Sequence, residues 1–359
     1  MQQIKSVREA EVGGKRVLLR VDFNVPLKNG EIVDDTRIKA ALPTISWLLE
    51  RGAAVSLLTH LGRPEGKAVE SLRTAPLMQR VHELLPGANV AMLENVRFDP
   101  GDEANDEAYA KKLAEGYDIF VNDAFAVMHR AHASVVGVTK FLPSFAGFLV
   151  EVEVARLTKT LNPPEGSVAI IGGVKFETKI PLLTKLLSTY SKILLGGALG
   201  NNIVKARGLP FGRSLISDIP VPLIIAGDEK INMILDGVMV QQDGAKRDAP
   251  IYDIRAEEKI VDIGPATARA WGEVVAAAPF VLWNGPMGMY EEGYTAGTDT
   301  LAQVLVENGV PAVIGGGDTE AAIKKFPFDQ EKVFISTGGG AMLAFLVGGT
   351  LPGLDVLKG

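Results

Sequence analysis

The sequence predicts an α/β protein of two lobes, each a parallel β-sheet flanked by helices, joined by a helix and a hinge. Short apolar runs alternate along the chain with amphipathic segments of helical period, which is typical of parallel strands covered by helices. Nearly every run is followed at once by glycine or polar residues, and ligands of open parallel sheets bind beyond the carboxyl ends of the strands. A chain of 359 residues is also too long for one compact core.

The predicted strands are the apolar runs at residues 17–21, 54–58, 90–93, 119–121, 168–171, 193–195, 280–283, 313–314 and 333–335. The earlier runs end in arginine, histidine, aspartate and asparagine, whereas the later ones end in glycine, lysine and an Asn-Gly-Pro turn. The change falls at about residue 150. It predicts one Rossmann-like lobe at residues 1–150, suited to a small polar anion, and another at residues 151–340, suited to a phosphate chain.

A helix is predicted between the two lobes at residues 147–161. Phe148, Val152, Ala155 and Leu157 are spaced as one apolar face, and Pro163 follows the last helical residue. We expect this segment to connect the lobes.

Composition narrows the class of protein. The chain is 47% hydrophobic and 22% charged, as in an ordinary soluble globular protein. It has no cysteine, which excludes disulfides, thiolate metal sites and cysteine nucleophiles. A net charge of −6 argues against a nucleic-acid partner. The apolar runs are shorter than a membrane span and no cleavable signal precedes the first strand, which predicts a cytoplasmic location without a membrane partner.

Two glycine-rich turns follow the last two predicted strands, at residues 315–317 and 338–340. Three glycines remove every Cβ, so a ligand can touch the backbone, and the helix that follows offers unpaired N–H groups to an anion. One such turn is often only a tight turn, but two in the same context favour phosphate binding. Asp318 beside the first turn would repel a phosphate unless a cation such as Mg²⁺ lies between them.

Basic residues in each half fit anionic ligands. Arg37, Arg63, Arg97 and Arg130 follow different strands or helices and are candidates to converge on one cleft, although a single arginine is usually a solvated surface residue. His60, His129 and His132 fit hydrogen-bonding roles better than a metal site, because no carboxylate or cysteine spacing completes one. Lys175 and Lys179 lie four apart at the start of a predicted helix, which suits a polyphosphate or a plain surface pair.

Two common nucleotide-binding classes are disfavoured. The sequence contains neither a Walker A loop nor a G-x-G-x-x-G fingerprint, so a P-loop NTPase and a standard Rossmann dehydrogenase are poor matches.

Nine motifs in one order resemble the phosphoglycerate kinase family over essentially the whole chain. They lie at residues 20–26, 35–38, 59–64, 93–98, 122–134, 172–175, 283–288, 315–319 and 336–341. The resemblance implies a glycolytic kinase that reversibly transfers a phosphoryl group between 1,3-bisphosphoglycerate and ADP. It also implies a monomer whose first lobe holds 3-phosphoglycerate, whose second holds ATP or ADP with Mg²⁺, and whose residues from about Ala341 return to the first lobe. Hinge bending would join the two.

The resemblance also implies roles for individual residues. The phosphoglycerate site would comprise Asp22, Asn24, Arg37, His60, Arg63, Arg97 and Arg130. The nucleotide site would comprise Lys179, Gly196, Gly197, Asn284, Glu291, Gly316, Gly317, Asp318 and Thr319, with Glu291 at the ribose and Mg²⁺ at Asp318. The catalytic groups would be Arg37, Lys175, Lys179, Gly338, Gly339 and Gly340.

The chain departs from the family pattern in three places. Residues 126–128 replace Gly-Thr-Ala beside Arg130, Thr178 stands where an acid precedes Lys179, and residues 344–349 lack the usual glutamates. The last departure puts coupling between the lobes in doubt and motivates one alternative, a catalytically impaired nucleotide-binding relative. A nucleotide-dependent oxidoreductase on the same type of sheet is a second alternative, supported by the fold class alone.

Overall fold

The computed structural model describes residues 4–359 and divides the chain into two compact units. The first unit runs to Ala155 and includes Gly348–Gly359, and the second is Arg156–Val347. Both boundaries lie inside helices, Phe148–Leu161 and Gly340–Gly348. The sequence shows no break there, because the apolar period of a helix continues across the boundary.

The first unit is built on a sheet of five parallel strands. The strands of the unit, including two outside this sheet, are β1 (Arg16–Arg20), β2 (Leu27–Lys28), β3 (Glu31–Ile32), β4 (Ala54–Leu58), β5 (Val90–Met92), β6 (Ile119–Asn122) and β7 (Ser144–Ala146). Its helices are α1 (Thr36–Glu50), α2 (Ala75–Leu84), α3 (Pro100–Glu103), α4 (Glu107–Ala114) and α5 (Phe148–Leu161), which continues into the second unit. The sheet order is β5-β4-β1-β6-β7, and β2 and β3 form a separate hairpin.

Both faces of this sheet are buried. Val17 and Leu19 belong to the hydrophobic cluster on one face, and Leu18 between them belongs to the cluster on the other. Successive side chains of a strand point to opposite faces, so a strand covered on both sides must be apolar throughout. This requirement explains why the run is continuous and why the first polar side chains appear where the strand ends.

The second unit contains a sheet of six parallel strands. The strands of the unit, including three outside this sheet, are β8 (Val168–Ile171), β9 (Lys192–Leu195), β10 (Ile231–Asn232), β11 (Asp236–Val240), β12 (Lys246–Pro250), β13 (Lys259–Ile263), β14 (Val281–Asn284), β15 (Ala312–Gly315) and β16 (Val333–Ser336). Its helices are α6 (Phe176–Leu187), α7 (Gly197–Ala206), α8 (Leu223–Ala226), α9 (Pro265–Ala276), α10 (Ala296–Asn308), α11 (Gly317–Ile323) and α12 (Gly340–Gly348). The parallel order is β10-β9-β8-β14-β15-β16.

The final helix, α13 (Pro352–Asp355), packs in the first unit. The amide of Gly353 donates to the carbonyl of Met128, and the amide of Lys5 donates to the carbonyl of Leu357. The end of the chain is therefore tied to the body of the first unit by main-chain hydrogen bonds.

Each of the nine predicted strands is confirmed, with ends within one residue of the observed ones. The sequence did not predict β2, β3, β7, β10 or the antiparallel sheet of order β12-β11-β13. β12 is polar and ends at Pro250, so it has neither the apolar content nor the alternation of a recognisable strand.

The predicted apolar face of α5 is wrong in part. Val152 is 46% exposed and Ala155 is also exposed, whereas Val150 and Leu157 are buried. Glu153 is also fully buried, so the buried stripe includes a charged residue that an apolar pattern overlooks. None of the helices in the described part of the chain is long and apolar enough to cross a membrane.

Candidate active site

Asp22, just beyond the end of β1, is the centre of a polar cluster in the first unit. The Nη1 group of Arg37, from the first turn of α1, donates to its Oδ2, and Nδ1 of His60 lies 3.8 Å from its Oδ1. Asp22 is 7% exposed and His60 is 3% exposed. The cluster forms because β1 and β4 are adjacent parallel strands, so the segments after them meet at one edge.

Asn24 and Arg97 are linked through the backbone of Gly62. The Gly62 amide donates to Oδ1 of Asn24 at 2.8 Å, and its carbonyl accepts from Nη1 of Arg97 at 3.0 Å. Arg97 also pairs with Glu103 at 3.3 Å. Burial and the charge of Arg130 lower the pKa of Arg97, which shows that the two guanidinium groups lie near each other.

The remaining predicted residues of this cluster are less constrained. Nε of Arg130 donates to Nε2 of His129 at 3.3 Å. Arg63 is exposed, and its guanidinium forms no hydrogen bond or ion pair with the rest of residues 4–359. Of the replaced residues 126–128, the first two belong to a short 3-10 turn, Phe125–Val127, and Val127 and Met128 are buried.

His60 is held neutral. Burial, followed by the charges of Arg20, Arg97 and Arg37, lowers its pKa well below the usual value. Nη2 of Arg20 lies 3.3 Å from Nδ1 of His60. Because a guanidinium can only donate, Nδ1 is the acceptor and the ring proton resides on Nε2.

Arg20 and Asp102 were not predicted as site residues, yet they form the charged base of the cluster. Arg20 is 1% exposed and donates to the hydroxyl of Ser134 at 3.3 Å. Asp102 is fully buried and accepts from the amide of Ser134 at 2.9 Å. Despite its burial, the pKa of Asp102 is lowered, because His132, Arg20 and Ser134 favour the carboxylate. Sequence could have indicated Arg20 only through its place at the end of a strand.

In the second unit, glycines form the wall of a cleft at the ends of β8, β14, β15 and β16. The cleft has a volume of about 440 Å³. It is lined by Gly172, Gly173, Val174, Lys175, Thr178, Lys179, Asn284, Gly285, Gly316, Gly317, Asp318, Thr319, Gly339, Gly340 and Leu343. Gly316 and Gly339 have φ values of 106° and 47°, which other residues rarely adopt.

Lys179 is the partly buried cation of this cleft. Its ammonium donates to Oδ1 of Asn284, whose amide donates to the carbonyl of Gly315 at 2.6 Å. Burial lowers the pKa of Lys179 to about 8, and the charge of Asp318 opposes that shift. Lys175 precedes α6 and is exposed, so it has more conformational freedom than Lys179.

The hydroxyl groups of two threonines near this cleft form hydrogen bonds with backbone groups. The hydroxyl of Thr319 accepts from the amide of Gly285 at 2.7 Å and donates to the carbonyl of Gly315 at 3.1 Å, in a fully buried position. The hydroxyl of Thr319 is therefore not available to a ligand. Thr178, where the family has an acid, donates to the carbonyl of Lys175 at 2.9 Å.

A second cleft, of about 190 Å³, shares Gly173, Val174 and Asp318 with the first. Apolar side chains from several elements line it, among them Leu215, Ile234 and Met287, together with Gly197 and Glu291. Two of the predicted glycines are buried: Gly196, where a Cβ would meet Sδ of Met287 at 2.5 Å, and Gly338, beside the first cleft. The shared residues make the two clefts continuous, one apolar and one lined by glycine and lysine.

Tyr290, which the sequence reasoning missed, lies between two acids at this junction. Its hydroxyl is 3.4 Å from Oε1 of Glu291 and 3.4 Å from Oδ1 of Asp318. Burial and both carboxylates raise the pKa of Tyr290, so the phenol remains protonated. Glu291 and Asp318 are both exposed to the cleft.

The donor set around Asp318 fits a magnesium–nucleotide better than a bare metal ion. Among residues 4–359, no group of three or more His, Cys, Asp or Glu side chains is arranged to hold a metal. Mg²⁺ commonly binds through one or two carboxylates and the phosphates of its nucleotide. One exposed carboxylate beside a glycine-lined cleft matches that pattern.

Comparison with known proteins identifies close relatives. A family model described as phosphoglycerate kinase matches residues 7–91 and 86–349. Phosphoglycerate kinases from Roseiflexus sp. (strain RS-1) and Roseiflexus castenholzii are 43% and 44% identical, over 99% of this chain and 99% of theirs. The structure of phosphoglycerate kinase from Coxiella burnetii aligns with a TM-score of 0.87 at 36% identity, covering 99% of both chains. That from Pyrococcus horikoshii OT3 gives 0.84 at 30% identity, covering 99% of this chain and 98% of that one.

Proposed function

The chain belongs to the phosphoglycerate kinase family of glycolytic kinases, which transfer phosphate to the carboxyl group of 3-phosphoglycerate, and on that premise we propose which residues hold each substrate. The first unit binds 3-phosphoglycerate or 1,3-bisphosphoglycerate, and the second binds ATP or ADP with Mg²⁺. The observation that carries this proposal is the separation of the two chemistries: arginines around buried acids in one unit, and glycines around a lysine in the other.

The proposed phosphoglycerate site has an excess of positive charge. Arg37, Arg63, Arg97 and Arg130 supply guanidinium groups, which match the planar carboxylate and the phosphate of the ligand. Asp22 holds Arg37 in place and is itself shielded from solvent. His60 offers an Nε2–H donor without adding charge, and Asn24 shapes the loop through Gly62.

The proposed nucleotide site extends over both clefts of the second unit. The base and ribose occupy the apolar cleft beside Gly197 and Glu291, with Gly196 behind it. The phosphates lie against the backbone of Gly316 and Gly317. Asn284 orients the ammonium of Lys179 toward them, while Thr319 fixes the turn through its buried hydroxyl.

The reaction needs positioning and charge neutralisation rather than proton transfer. The acceptor carboxylate of 3-phosphoglycerate is already ionised at neutral pH, so no general base is required. Arg37, Lys175, Lys179 and the amides of Gly339 and Gly340 neutralise charge on the transferring group. The amide of the buried Gly338 donates to Oγ of Ser336 at 3.1 Å, so this glycine shapes the turn instead. When bound at Asp318, Mg²⁺ would neutralise phosphate charge. Hinge bending, a monomeric state and a cytoplasmic location stay predictions.

A coupled assay tests the proposed activity. Purified protein is given ATP, Mg²⁺ and 3-phosphoglycerate, and formation of 1,3-bisphosphoglycerate is followed through its enzymatic reduction. We expect turnover that requires all three. Arg97→Ala should abolish most of this turnover at moderate concentrations of 3-phosphoglycerate and leave MgADP binding intact. If the unmodified protein instead binds both ligands without turnover, the catalytically impaired relative becomes the better interpretation. That alternative has no support from the comparisons, since the matched relatives are phosphoglycerate kinases over nearly their full lengths.

A second experiment tests the proposed role of Asp318. Calorimetry is done with MgADP and with metal-free ADP on the unmodified protein and on Asp318→Asn. Because the carboxylate repels phosphate unless a cation intervenes, the substitution should weaken MgADP more than metal-free ADP. Equal weakening of both would assign Asp318 to the start of α11 as a structural residue.

A further inference from the structure

We propose that Tyr290 is a positioning residue for nucleotide binding, whose hydroxyl holds the Asp318 carboxylate for the magnesium–nucleotide and couples it to the ribose side of the site. This inference rests on the proposed function, because it takes Asp318 as the carboxylate nearest the cation and Glu291 as the ribose contact. It adds a residue that contacts neither phosphate nor cation and acts through the two acids.

The geometry gives the phenol two competing acceptors. Its oxygen lies 3.4 Å from Glu291 and 3.4 Å from Asp318, both at the long limit of a hydrogen bond. An ionised carboxylate accepts only, and a phenol has one proton, so Tyr290 can bond to one acid at a time. Neither bond is favoured by distance, and the proton is therefore shared between the ribose end and the phosphate end of the clefts.

The position of Tyr290 is fixed by backbone hydrogen bonds of the residues before it and by the turn that follows it, in which the amide of Gly293 donates to the carbonyl of Tyr290 at 3.0 Å. The amide of Met287 donates to the hydroxyl of Thr298 at 2.9 Å, and the amide of Met289 donates to the carbonyl of Val261 at 2.8 Å. Gly293, with a φ of 87°, ends the short turn that contains Tyr290. Because a tyrosine side chain has few rotatable bonds, a fixed backbone places its hydroxyl with little entropic cost.

Nucleotide binding would change how the proton is shared. A ribose hydroxyl that donates to Glu291 competes with the phenol for that carboxylate, which favours donation of the phenol proton to Oδ1 of Asp318. The carboxylate, otherwise exposed at the start of α11, is then held with Oδ2 available to the cation. Ribose occupancy at one end thereby favours cation binding at the other.

The test is calorimetry on the full chain with Tyr290→Phe and a matched control, Tyr294→Phe. Tyr294 lies four residues further on and lines a different cavity, beside Asp262 and Asp299. The probes are MgADP and metal-free ADP. Loss of one long hydrogen bond to a charged group predicts a rise of about three- to tenfold in the Kd of MgADP for Tyr290→Phe. Metal-free ADP should change less than twofold, and Tyr294→Phe should match the unmodified protein with both probes.

The outcomes separate this inference from the proposed function. If the unmodified protein prefers MgADP to ADP and Tyr290→Phe retains the full preference, the role of Tyr290 is wrong and that of Asp318 stands. If Tyr290→Phe weakens both probes equally, the ring acts through packing and the inference is again wrong. If the unmodified protein shows no preference for MgADP, the assignment of Asp318 fails first, and the inference fails with it.

Discussion

The two candidate sites offer anions different partners: charged side chains in the first unit and main-chain surface in the second. Around Asp22, cationic side chains are held by acids and by a neutral histidine. Around Gly316, the walls of the cleft are mostly glycines, and Lys179 contributes a partly buried cation. The first site should tolerate small changes of backbone but not loss of a charge. The second should tolerate some changes of side chain but not an added methyl group.

The two units also differ in whether a buried cation can lose its proton. In the first unit burial lowers the pKa of Arg20 as well, and the nearby carboxylate of Asp102 opposes that shift, but an arginine starts from so high a pKa that it stays charged. In the second unit Lys179 has an amide partner in Asn284, and burial lowers its pKa. An arginine cluster therefore keeps its charge over the whole accessible pH range, whereas the lysine can lose its proton within it.

The largest effect is expected from a methyl group at Gly285. Its φ is 98°, and a Cβ would lie 2.3 Å from the carbonyl carbon of Gly172, part of the backbone below the cleft. Gly285→Ala should lower the free energy of unfolding by about 3 kcal/mol or more, from strain and overlap together, and should abolish MgADP binding. Denaturant unfolding and calorimetry measure the two.

The control for this variant is Gly293→Ala. Gly293 has a similar φ of 87° but no atom within 4 Å of the added Cβ. It should cost only about 1–2 kcal/mol, the price of the left-handed conformation. Equal losses for both variants would show that close backbone approach contributes nothing.

The next largest effect separates Arg37 from Arg63. Arg37 is held by Asp22, whereas Arg63 is exposed without an ion-pair partner within residues 4–359. Arg37→Ala should lower kcat by about 100-fold, the scale of losing one donor that acts in the transition state. Arg63→Ala should mainly raise the KM for 3-phosphoglycerate. Steady-state kinetics with thermal melts measures both, and a near-normal kcat in Arg37→Ala would make Arg37 a ground-state binding residue.

A moderate effect is expected from pH in the second site alone. The pKa of Lys179 is about 8, so its ammonium is largely charged at pH 7 and largely neutral at pH 9. Since the charged form binds phosphate, the Kd of MgADP should rise by roughly tenfold between those values. Lys179→Arg should remove this dependence because arginine stays protonated. Calorimetry at several pH values tests it, and an unchanged slope in Lys179→Arg would locate the titration elsewhere.

The smallest effect is expected from pH at His60. Its pKa lies well below the usual value, so it stays neutral between pH 6 and 8, although it lies beside Asp22. The ratio of the KM for 3-phosphoglycerate in His60→Gln to that in the unmodified enzyme should vary less than twofold over this range. The ratio cancels the titration of the ligand itself. A ratio that climbs toward pH 6 would mean that His60 becomes a cation that binds the substrate.

Much of the fold was accessible from local patterns. Nine strands of the parallel sheets were predicted to within one residue because a strand buried on both faces is a continuous apolar run with a polar end, whereas β7 and β10 of the same sheets were missed. The antiparallel sheet was missed because β12 gains its pairing from β11 and has little apolar content. The predicted buried face of α5 was partly wrong, because the charged Glu153 is buried and the apolar Val152 beside it is exposed.

By itself the sequence determined the class of fold and the chemistry at each strand end, since hydrophobic period and glycine-rich turns are properties of neighbouring residues. Only the tertiary structure decided which of those groups are charged, shared or already satisfied. Arg20 meets Ser134 across 114 positions, and Tyr290 meets Asp318 across 28. The pKa of a side chain and the partner of its proton depend on distance in space, and folding sets that distance between residues remote in the chain.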